Sequence, residues 1–286
     1  MIQKFRFDCM ALALSVLPLL GQGSVSSEPK ADLAAKPSDP PSKGVLAVPR
    51  ILFDDTVFIL KAPAHWDSKD WLHAGEGFAV VVGTALLLDT HVRDEFQRHR
   101  NPQNDNLAKQ IQNFGAGYAI GIVGGFWTYG KLAGNSNAVD TGLDAAEASL
   151  IAGIVIGPFL KEAVGRSRPY QQEGAFHVRP FGGGMSAPSG HTTEAFTVAM
   201  VISEHYPETW VRYLTYGIAT LVGVARIEQN AHFASDVVSG ALLGALVGRT
   251  VVFRNQERRG WPGKVKLALK PVLGAGYQGA ALSLRF

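Results

Sequence analysis

A histidine and an aspartate in the C-terminal third of the chain have the spacing of a paired base and carboxylate. His232 and Asp236 are four residues apart at the start of an apolar stretch. If a helix has begun there, Asp236 can hold one imidazole nitrogen and leave the other free. A histidine held in this way acts as a nucleophile or a base. The alternatives are a helix start that Ser235 or Asp236 merely caps, or a metal site, for which no third ligand is evident.

A second histidine ends the sequence Pro-Ser-Gly-His at residues 188–191, which follows three glycines at 182–184 and precedes an apolar stretch. Ser189 and Gly190 would stand just before a helix, where backbone amides are unpaired and the helix dipole favours negative charge. The stretch therefore predicts an anion site with His191 at its edge. The alternative is that Ser189 only caps the helix and His191 is exposed.

Basic residues accompany both histidines. Lys161 and Arg168 are seven residues apart, which predicts that they project from one face of a helix ended by Pro169. Arg226 precedes His232 by six residues. Cations on one face suit an anion, whereas the plainer interpretation is that basic residues gather at helix C-termini to offset the dipole.

Taken together, these stretches resemble the signature of the type-2 phosphatidic acid phosphatase and vanadium haloperoxidase superfamily. That signature reads Lys, six residues, Arg-Pro; then Pro-Ser-Gly-His; then Ser-Arg, five residues, His, three residues, Asp. Ten of its eleven fixed positions occur here in the same order. The exception is Ala225, which stands where the family has Ser. The resemblance covers residues 161–236 and does not extend to the ends of the chain.

The resemblance implies a metal-independent phosphatase that hydrolyses phosphate monoesters through a phosphohistidine. His232 would be the nucleophile, Asp236 would fix its tautomer, and His191 would protonate the leaving group and then activate water. The non-bridging phosphate oxygens would be held by Lys161, Arg168, Ser189, Gly190 and Arg226. Because fixed cations would replace a metal, no metal or other cofactor is expected. The substrate would be a lipid phosphate, an isoprenoid diphosphate or a small soluble ester.

The same residues leave two other functions open. The cationic pocket could hold vanadate as the cofactor of a vanadium-dependent haloperoxidase, an activity of the same superfamily. The chain could instead be a catalytically inactive, anion-binding protein of the cell envelope. The presence of both histidines and of Asp236 argues against the inactive alternative.

Composition excludes several classes of protein. The formal net charge of +3, from 27 basic and 24 acidic residues, is too small an excess for a nucleic-acid binder. The single cysteine, Cys9, excludes a disulfide framework and a cysteine-based zinc site.

The N-terminal region predicts export. Residues 1–23 start with basic side chains, continue into an apolar run and end in small residues, which is the order of a secretory signal peptide. An uncleaved anchor is the alternative, but the run is short for a bilayer span. Residues 24–63, rich at first in Ser, Pro, Lys and Ala, are predicted as a flexible linker or N-terminal segment. We therefore expect the protein in the periplasm or on the outer face of a bacterial membrane.

The rest of the chain predicts a mainly α fold, a six-helix bundle of the type found in this superfamily, over residues 64–258. The apolar blocks are residues 78–88, 114–129, 145–160, 192–204, 210–225 and 236–253. Each block is shorter than the roughly 20 residues that cross a bilayer, which favours a soluble or peripherally bound bundle with possible membrane contact. Residues 259–286 alternate apolar and polar side chains around a Gly-rich turn and predict a short C-terminal β-hairpin.

Overall fold

The computed structural model describes residues 47–260, 266–274 and 277–285. The helices are α1 (Ala47–Lys61), α2 (Ser68–Leu87), α3 (Asp89–Arg98), α4 (Pro102–Ile111), α5 (Gly117–Ala133), α6 (Ser136–Leu150), α7 (Gly157–Val164), α8 (Gly190–His205), α9 (Thr209–Glu228) and α10 (Ala234–Arg258). A π-helical segment, Ile151–Ile156, joins α6 to α7. Strands β1 (Lys266–Gly274) and β2 (Tyr277–Arg285) pair antiparallel. The predicted signal peptide lies outside the described residues.

The predicted number of six helices is too low. The six apolar blocks fall largely within α2, α5, the segment from α6 to α7, α8, α9 and α10. The additional helices α3 and α4 are short and polar, so no apolar run marks them. Helix α4 starts instead at a cap, because the Asn101 side chain accepts a 2.9 Å hydrogen bond from the amide of Asn104 and Pro102 fits the first turn.

Helix α1 corrects the predicted linker. Residues 24–63 were predicted as a linker or N-terminal segment, but Ala47–Lys61 is helical and contacts α10. Asp55 of α1 is fully buried and accepts a 2.6 Å hydrogen bond from Arg254 and a 2.7 Å bond from Arg258. These partners lie about 200 residues further along the chain, so the local composition gives no sign of them. The first part of the predicted linker, residues 24–46, lies outside the described residues.

Helix α8 lies at the centre of the bundle and packs against α6, α9 and α10. Nearly every side chain from Thr192 to Val201 is buried. One core cluster joins α6 and the π-helical segment to α8 and α10, and a second joins α8, α9 and α10. The central helix therefore begins at the predicted anion site, which the surrounding helices hold in place.

Within the described ranges, two helical segments are long and apolar enough to cross a membrane: Ser136–Val164, with 29 residues, and Ala234–Arg258, with 25. A third span is added if α2 and α3, bent by 52° at Leu88, are taken as one segment. The prediction that the helices are too short to span is therefore wrong for these segments. It counted only the uninterrupted apolar blocks, whereas each helix extends through polar residues at its ends.

Candidate active site

The first motif does not form one continuous helix. Helix α7 ends at Val164, and Gly165 follows with a left-handed φ of 61°. A Cβ atom at Gly165 would lie 1.7 Å from the carbonyl oxygen of Arg179, so only glycine fits. Arg168 lies beyond this turn in extended backbone. The prediction that Lys161 and Arg168 share a helix face is therefore wrong, because the glycine ends the helix before Pro169 can.

Lys161 connects the first motif to the second. Its ammonium group donates hydrogen bonds of 3.0 Å to the carbonyl oxygen of Met185 and 2.7 Å to that of Pro188. A Cβ atom at Gly190 would lie 3.8 Å from Cε of Lys161. The lysine thus stands beside the first residue of α8.

The second motif begins α8, as predicted. Ser189 is the N-cap residue and Gly190 is the first helical residue. Ser189 is fully buried; its hydroxyl accepts a 2.9 Å hydrogen bond from Thr192, and its amide donates a 2.9 Å bond to the carbonyl of Asp236. No N-cap hydrogen bond from the Ser189 side chain is present. The simple capping alternative therefore does not describe this serine.

His191 is half-buried at the start of α8. The pKa of its imidazole is lowered to about 4, chiefly by burial and then by electrostatic interaction with Arg226, His232, Arg168 and Lys161, in that order. Lys161 and Arg168 belong to the first motif, and Arg226 and His232 to the third. Groups of both motifs therefore lie near the histidine of the second.

The third motif lies between α9 and α10. Arg226, in the last turn of α9, is buried and donates from Nη1 to the side-chain oxygens of Gln112 and Gln229. Its buried Nε has no hydrogen-bond partner among the described residues. Burial lowers the pKa of this guanidinium to about 10, and the charge of Arg168 contributes to the shift. Two neighbouring cations therefore form a site that favours an anion.

His232 lies two residues before α10 and is 2% exposed. Burial lowers its pKa to about 4, the contact with Asp236 opposes this shift, and the charges of Lys161 and Arg226 add to it. Nδ1 lies 3.8 Å from Oδ2 of Asp236, beyond hydrogen-bond distance, and has no other partner in the described part of the chain. With a pKa of about 4, the imidazole is neutral at pH 7.

A family model relates this arrangement to known proteins. Residues 143–260 are similar to the PAP2 superfamily, and this match covers less than half of the chain. The matched region runs from α6 to just beyond α10 and contains all three motifs.

Individual relatives match shorter stretches. The chain is 43% identical over 65 residues to a lipid A 1-phosphatase of Porphyromonas gingivalis, covering 22% of this chain and 15% of that protein. It is 32% identical over 96 residues to a lipid A 1-phosphatase of Rhizobium johnstonii, covering 32% of this chain and 38% of that protein. The chain thus spans less than half the length of these relatives.

Two solved structures align with part of this chain. LpxE of Aquifex aeolicus has 23% identity and a TM-score of 0.44, over 58% of this chain and 95% of that chain. The transmembrane PAP2-type phosphatidylglycerolphosphate phosphatase of Bacillus subtilis has 24% identity and a TM-score of 0.44, over 74% of this chain and 97% of that chain.

The structure adds residues that the sequence analysis did not single out. Arg166 is buried and donates 2.7 Å hydrogen bonds to Oδ1 of Asp236 and Oδ2 of Asp89. Ser186 donates a 2.5 Å hydrogen bond to Oδ2 of Asp236. The position of Arg166 inside the first motif, between Lys161 and Arg168, is a signal that could have found it. Asp89 lies 147 residues before Asp236, and no local pattern marks it.

The structure places no third metal ligand beside His232 and Asp236 among the described residues. Among the described residues, no group of three or more His, Cys, Asp or Glu side chains is arranged to hold a metal ion. The cations Lys161 and Arg226 act on both histidines, and Arg168 acts on His191 as well. Such an arrangement can bind and polarise a phosphate through hydrogen bonds and fixed positive charge.

Proposed function

We propose that the chain is a phosphomonoesterase that removes phosphate from a lipid through a phosphohistidine at His232. The observation that carries the proposal is a neutral, buried imidazole within reach of two cationic side chains. His232 is buried, and the charges of Lys161 and Arg226 reach it. The names of the relatives, lipid A 1-phosphatases, support a phosphorylated lipid as the substrate.

In the first step, Nε2 of His232 attacks phosphorus and the P–O bond to the leaving alkoxide breaks. Asp236 lies on the Nδ1 side, so Nδ1 keeps its proton and Nε2 has the free lone pair. The 3.8 Å separation shortens as positive charge develops on the ring, because catalytic hydrogen bonds often tighten only with substrate bound. His191 takes the proton that the phosphate monoester carries as a monoanion and gives it to the alkoxide.

In the second step, water attacks the phosphohistidine. His191, now neutral, takes a proton from that water, the P–N bond breaks, and inorganic phosphate leaves. Lys161, Arg168 and Arg226 bind the non-bridging oxygens in both steps, together with Ser189 and the amide of Gly190. Since their charge is fixed in place, the protein supplies the electrostatic stabilisation that a metal supplies elsewhere.

Exposed apolar side chains support a lipid substrate and membrane contact. Many large ones lie on the outer faces of the helices, among them Phe78, Leu87, Ile120, Leu132 and Trp210, each at least 67% exposed. Exposed apolar surface of this extent is uncommon on soluble monomers and marks contact with a membrane or a partner. The export signal predicted in residues 1–23 supports a site on the periplasmic side.

Phosphate release from defined substrates tests the proposal. The purified full chain, in detergent and EDTA, is given lipid A, a diacylglycerol phosphate, an isoprenoid diphosphate and a soluble aryl phosphate. We expect release from a phosphorylated lipid and its complete loss in His232→Asn. The matched control is His205→Asn, because His205 is also buried and bonded to a carboxylate, at 2.8 Å from Asp144, outside the motifs.

Three results would count against the proposal. The first is phosphate release that EDTA abolishes, and the second is phosphate release that persists in His232→Asn. The third is an equal loss of activity in His232→Asn and His205→Asn when both are compared at the same amount of folded protein. Halide oxidation with vanadate and peroxide, without phosphate release, would instead support the haloperoxidase.

A further inference from the structure

A buried hydrogen-bonded network lies on the Nδ1 side of His232, where Oδ2 of Asp236 is 3.8 Å away. It consists of Asp89, Arg166, Ser186, Ser235 and Asp236, and is called the Arg166 network below. Each of these side chains is at most 6% exposed. None belongs to the phosphate-binding set, so the proposed chemistry leaves four of the five without a role.

Arg166 uses all of its guanidinium N–H groups within this network and the adjacent loop. Nη1 donates to Ser235 and Asp236, each at 2.7 Å, and Nη2 donates to Asp89 at 2.7 Å. Nε and Nη2 also donate to the carbonyl of Ala175. The guanidinium carbon lies 4.4 Å from the centre of the Phe233 ring. Arg166 is therefore held in a single orientation that a lysine cannot reproduce.

Asp89 fixes both Arg166 and the start of α10. Its Oδ1 accepts a 2.8 Å hydrogen bond from the amide of Ser235, one of the first amides of α10. Its Oδ2 accepts from the Ser235 hydroxyl at 2.6 Å and from Arg166. A carboxylate at this place satisfies an otherwise unpaired amide and is favoured by the helix dipole. The bend between α2 and α3 is thereby tied to the helix that carries Asp236.

The network binds both oxygens of Asp236, and one of them, Oδ2, also lies on the side of the histidine. Oδ1 accepts from Arg166, while Oδ2 accepts from Ser186 at 2.5 Å and from the amide of Phe233 at 2.8 Å, and is the oxygen 3.8 Å from Nδ1 of His232. Arg166 is shared between the carboxylates of Asp89 and Asp236, so these three side chains together carry a net negative charge. Arg166 can therefore orient Asp236 without cancelling its attraction for an imidazolium.

We propose that Asp89 and Arg166 are positioning residues that set the orientation of Asp236 and, through it, the reactive tautomer of His232. The inference rests on the proposed phosphohistidine function. Neither residue touches the substrate. Asp89 keeps Arg166 from pairing with Asp236 alone, and Arg166 keeps Oδ2 directed at His232. Outer-shell partners of this kind typically affect activity by about 10- to 100-fold.

The test compares Asp89→Asn and Arg166→Lys with Asp55→Asn. Asp55 is also a fully buried carboxylate bound by two arginines, but it pairs α1 with α10 outside the network. Two readouts are taken on the full chain in detergent: kcat and KM for phosphate release, and the ¹⁵N spectrum of labelled histidines. The His232 signal is assigned from its absence in His232→Asn.

We expect kcat to fall about 10- to 100-fold in Asp89→Asn and Arg166→Lys while KM changes less than about threefold. We also expect His232 to pass from one tautomer, protonated at Nδ1, to a mixture. Asp55→Asn should leave the tautomer and the kcat of folded protein unchanged. An unchanged tautomer in both network variants, or a loss of kcat that matches the unfolded fraction, would overturn the inference.

Two further arms keep the test decisive. If Asp89→Asn and Arg166→Lys do not fold, Ser186→Ala and Ser235→Ala are used instead. The first removes one hydrogen bond of the network and the second removes two, neither removes a charged group, and each should lower kcat about fivefold. Unchanged kcat and tautomer in both serine variants would contradict the inference. If the wild type releases no phosphate, the proposed function fails, and the His232 tautomer in the network variants still decides the positioning role.

Discussion

Lys161 donates a 2.7 Å hydrogen bond to the carbonyl oxygen of Pro188, the residue before Ser189. This bond joins the end of α7 to the start of α8 across 27 residues of sequence. It directs the ammonium group toward the first turn of α8, where Gly190 and His191 lie. The position of the lysine in the anion site is thus fixed by backbone groups of the second motif.

Replacing this lysine should remove both a charge and a connection between motifs. We expect Lys161→Met to lower kcat/KM for phosphate release about 10²- to 10³-fold, the usual effect of losing one transition-state donor. The apparent affinity for vanadate should fall as well. The control is Lys131→Met, at an exposed position on α5. Activity within threefold of the wild type in Lys161→Met would show that the lysine does not bind the phosphate.

The two depressed histidine pKa values predict an acidic pH optimum. His232 has to be neutral to attack, and its pKa of about 4 keeps it so above that pH. His191 also has a pKa of about 4, so at neutral pH it has no proton of its own to give. Below about pH 6, however, a phosphate monoester carries a proton that can pass to His191. We expect kcat/KM to be greatest between about pH 4 and pH 6.

Measurement of kcat/KM from pH 3 to 9 checks this prediction. An acid limb near pH 6.5, the ordinary value for histidine, would mean that burial does not control His232. Histidine NMR gives a second check, since bound inorganic phosphate should raise the pKa of His191 by adding negative charge beside it.

Stability should also fall in acid. His232 has a lower pKa in the folded protein than in the unfolded chain, so the unfolded chain binds more protons between pH 6.5 and 4. The contribution of His232 to the free energy of unfolding is therefore complete above pH 6.5 and is lost as the pH falls toward 4. The melting temperatures of the wild type and of His232→Asn should differ at neutral pH, and the difference should shrink in acid. A constant difference in melting temperature across this range would exclude the linkage.

Helix α10 approaches the loop that ends at Ser189 so closely that Gly240 has no room for a side chain. A Cβ atom there would lie 2.6 Å from the carbonyl oxygen of Ser189. We expect Gly240→Ala to destabilise the protein by about 1–3 kcal/mol and to lower activity, because the loop has to move. Gly217→Ala on α9 is the control, since nothing lies within 4 Å of its added methyl group. Full activity and stability in Gly240→Ala would contradict this account.

The pairing of α1 with α10 should matter for stability alone. Asp55→Asn leaves Arg254 and Arg258 without a buried carboxylate, which typically costs about 3–5 kcal/mol. The control is Asp54→Asn, because Asp54 is exposed and its 3.8 Å contact with Arg50 is a surface pair. The unfolding free energy of both variants, with kcat of the folded fraction, checks this. Loss of kcat without loss of stability would place Asp55 in the active site.

The sequence predicted the parts of the site that short motifs carry. The start of α8 at Ser189 and Gly190, and the adjacency of His232 and Asp236, follow from local spacing, so they could be predicted. The mainly helical character was also predictable, because apolar blocks of helical length are a local signal. The sequence predicts that Pro169 ends the helix that carries Lys161. In the structure, Gly165 ends this helix, α7, four residues earlier.

The remainder depends on contacts between distant residues. Asp89 and Asp55 lie in helices of ordinary composition, and only the fold brings them to arginines 77 and 203 residues away. The polar helices α3 and α4 have no apolar run, and the long spans include polar ends. Patterns within a window of ten to twenty residues do not record any of these features.

Rapid quenching with ³²P-labelled lipid substrate, followed by peptide mass spectrometry, tests the central claim most directly. The wild type should carry an acid-labile phosphoryl group on the imidazole of His232, formed and lost at rates that match kcat. Turnover with no labelled enzyme, or with the label on another side chain, would contradict the account.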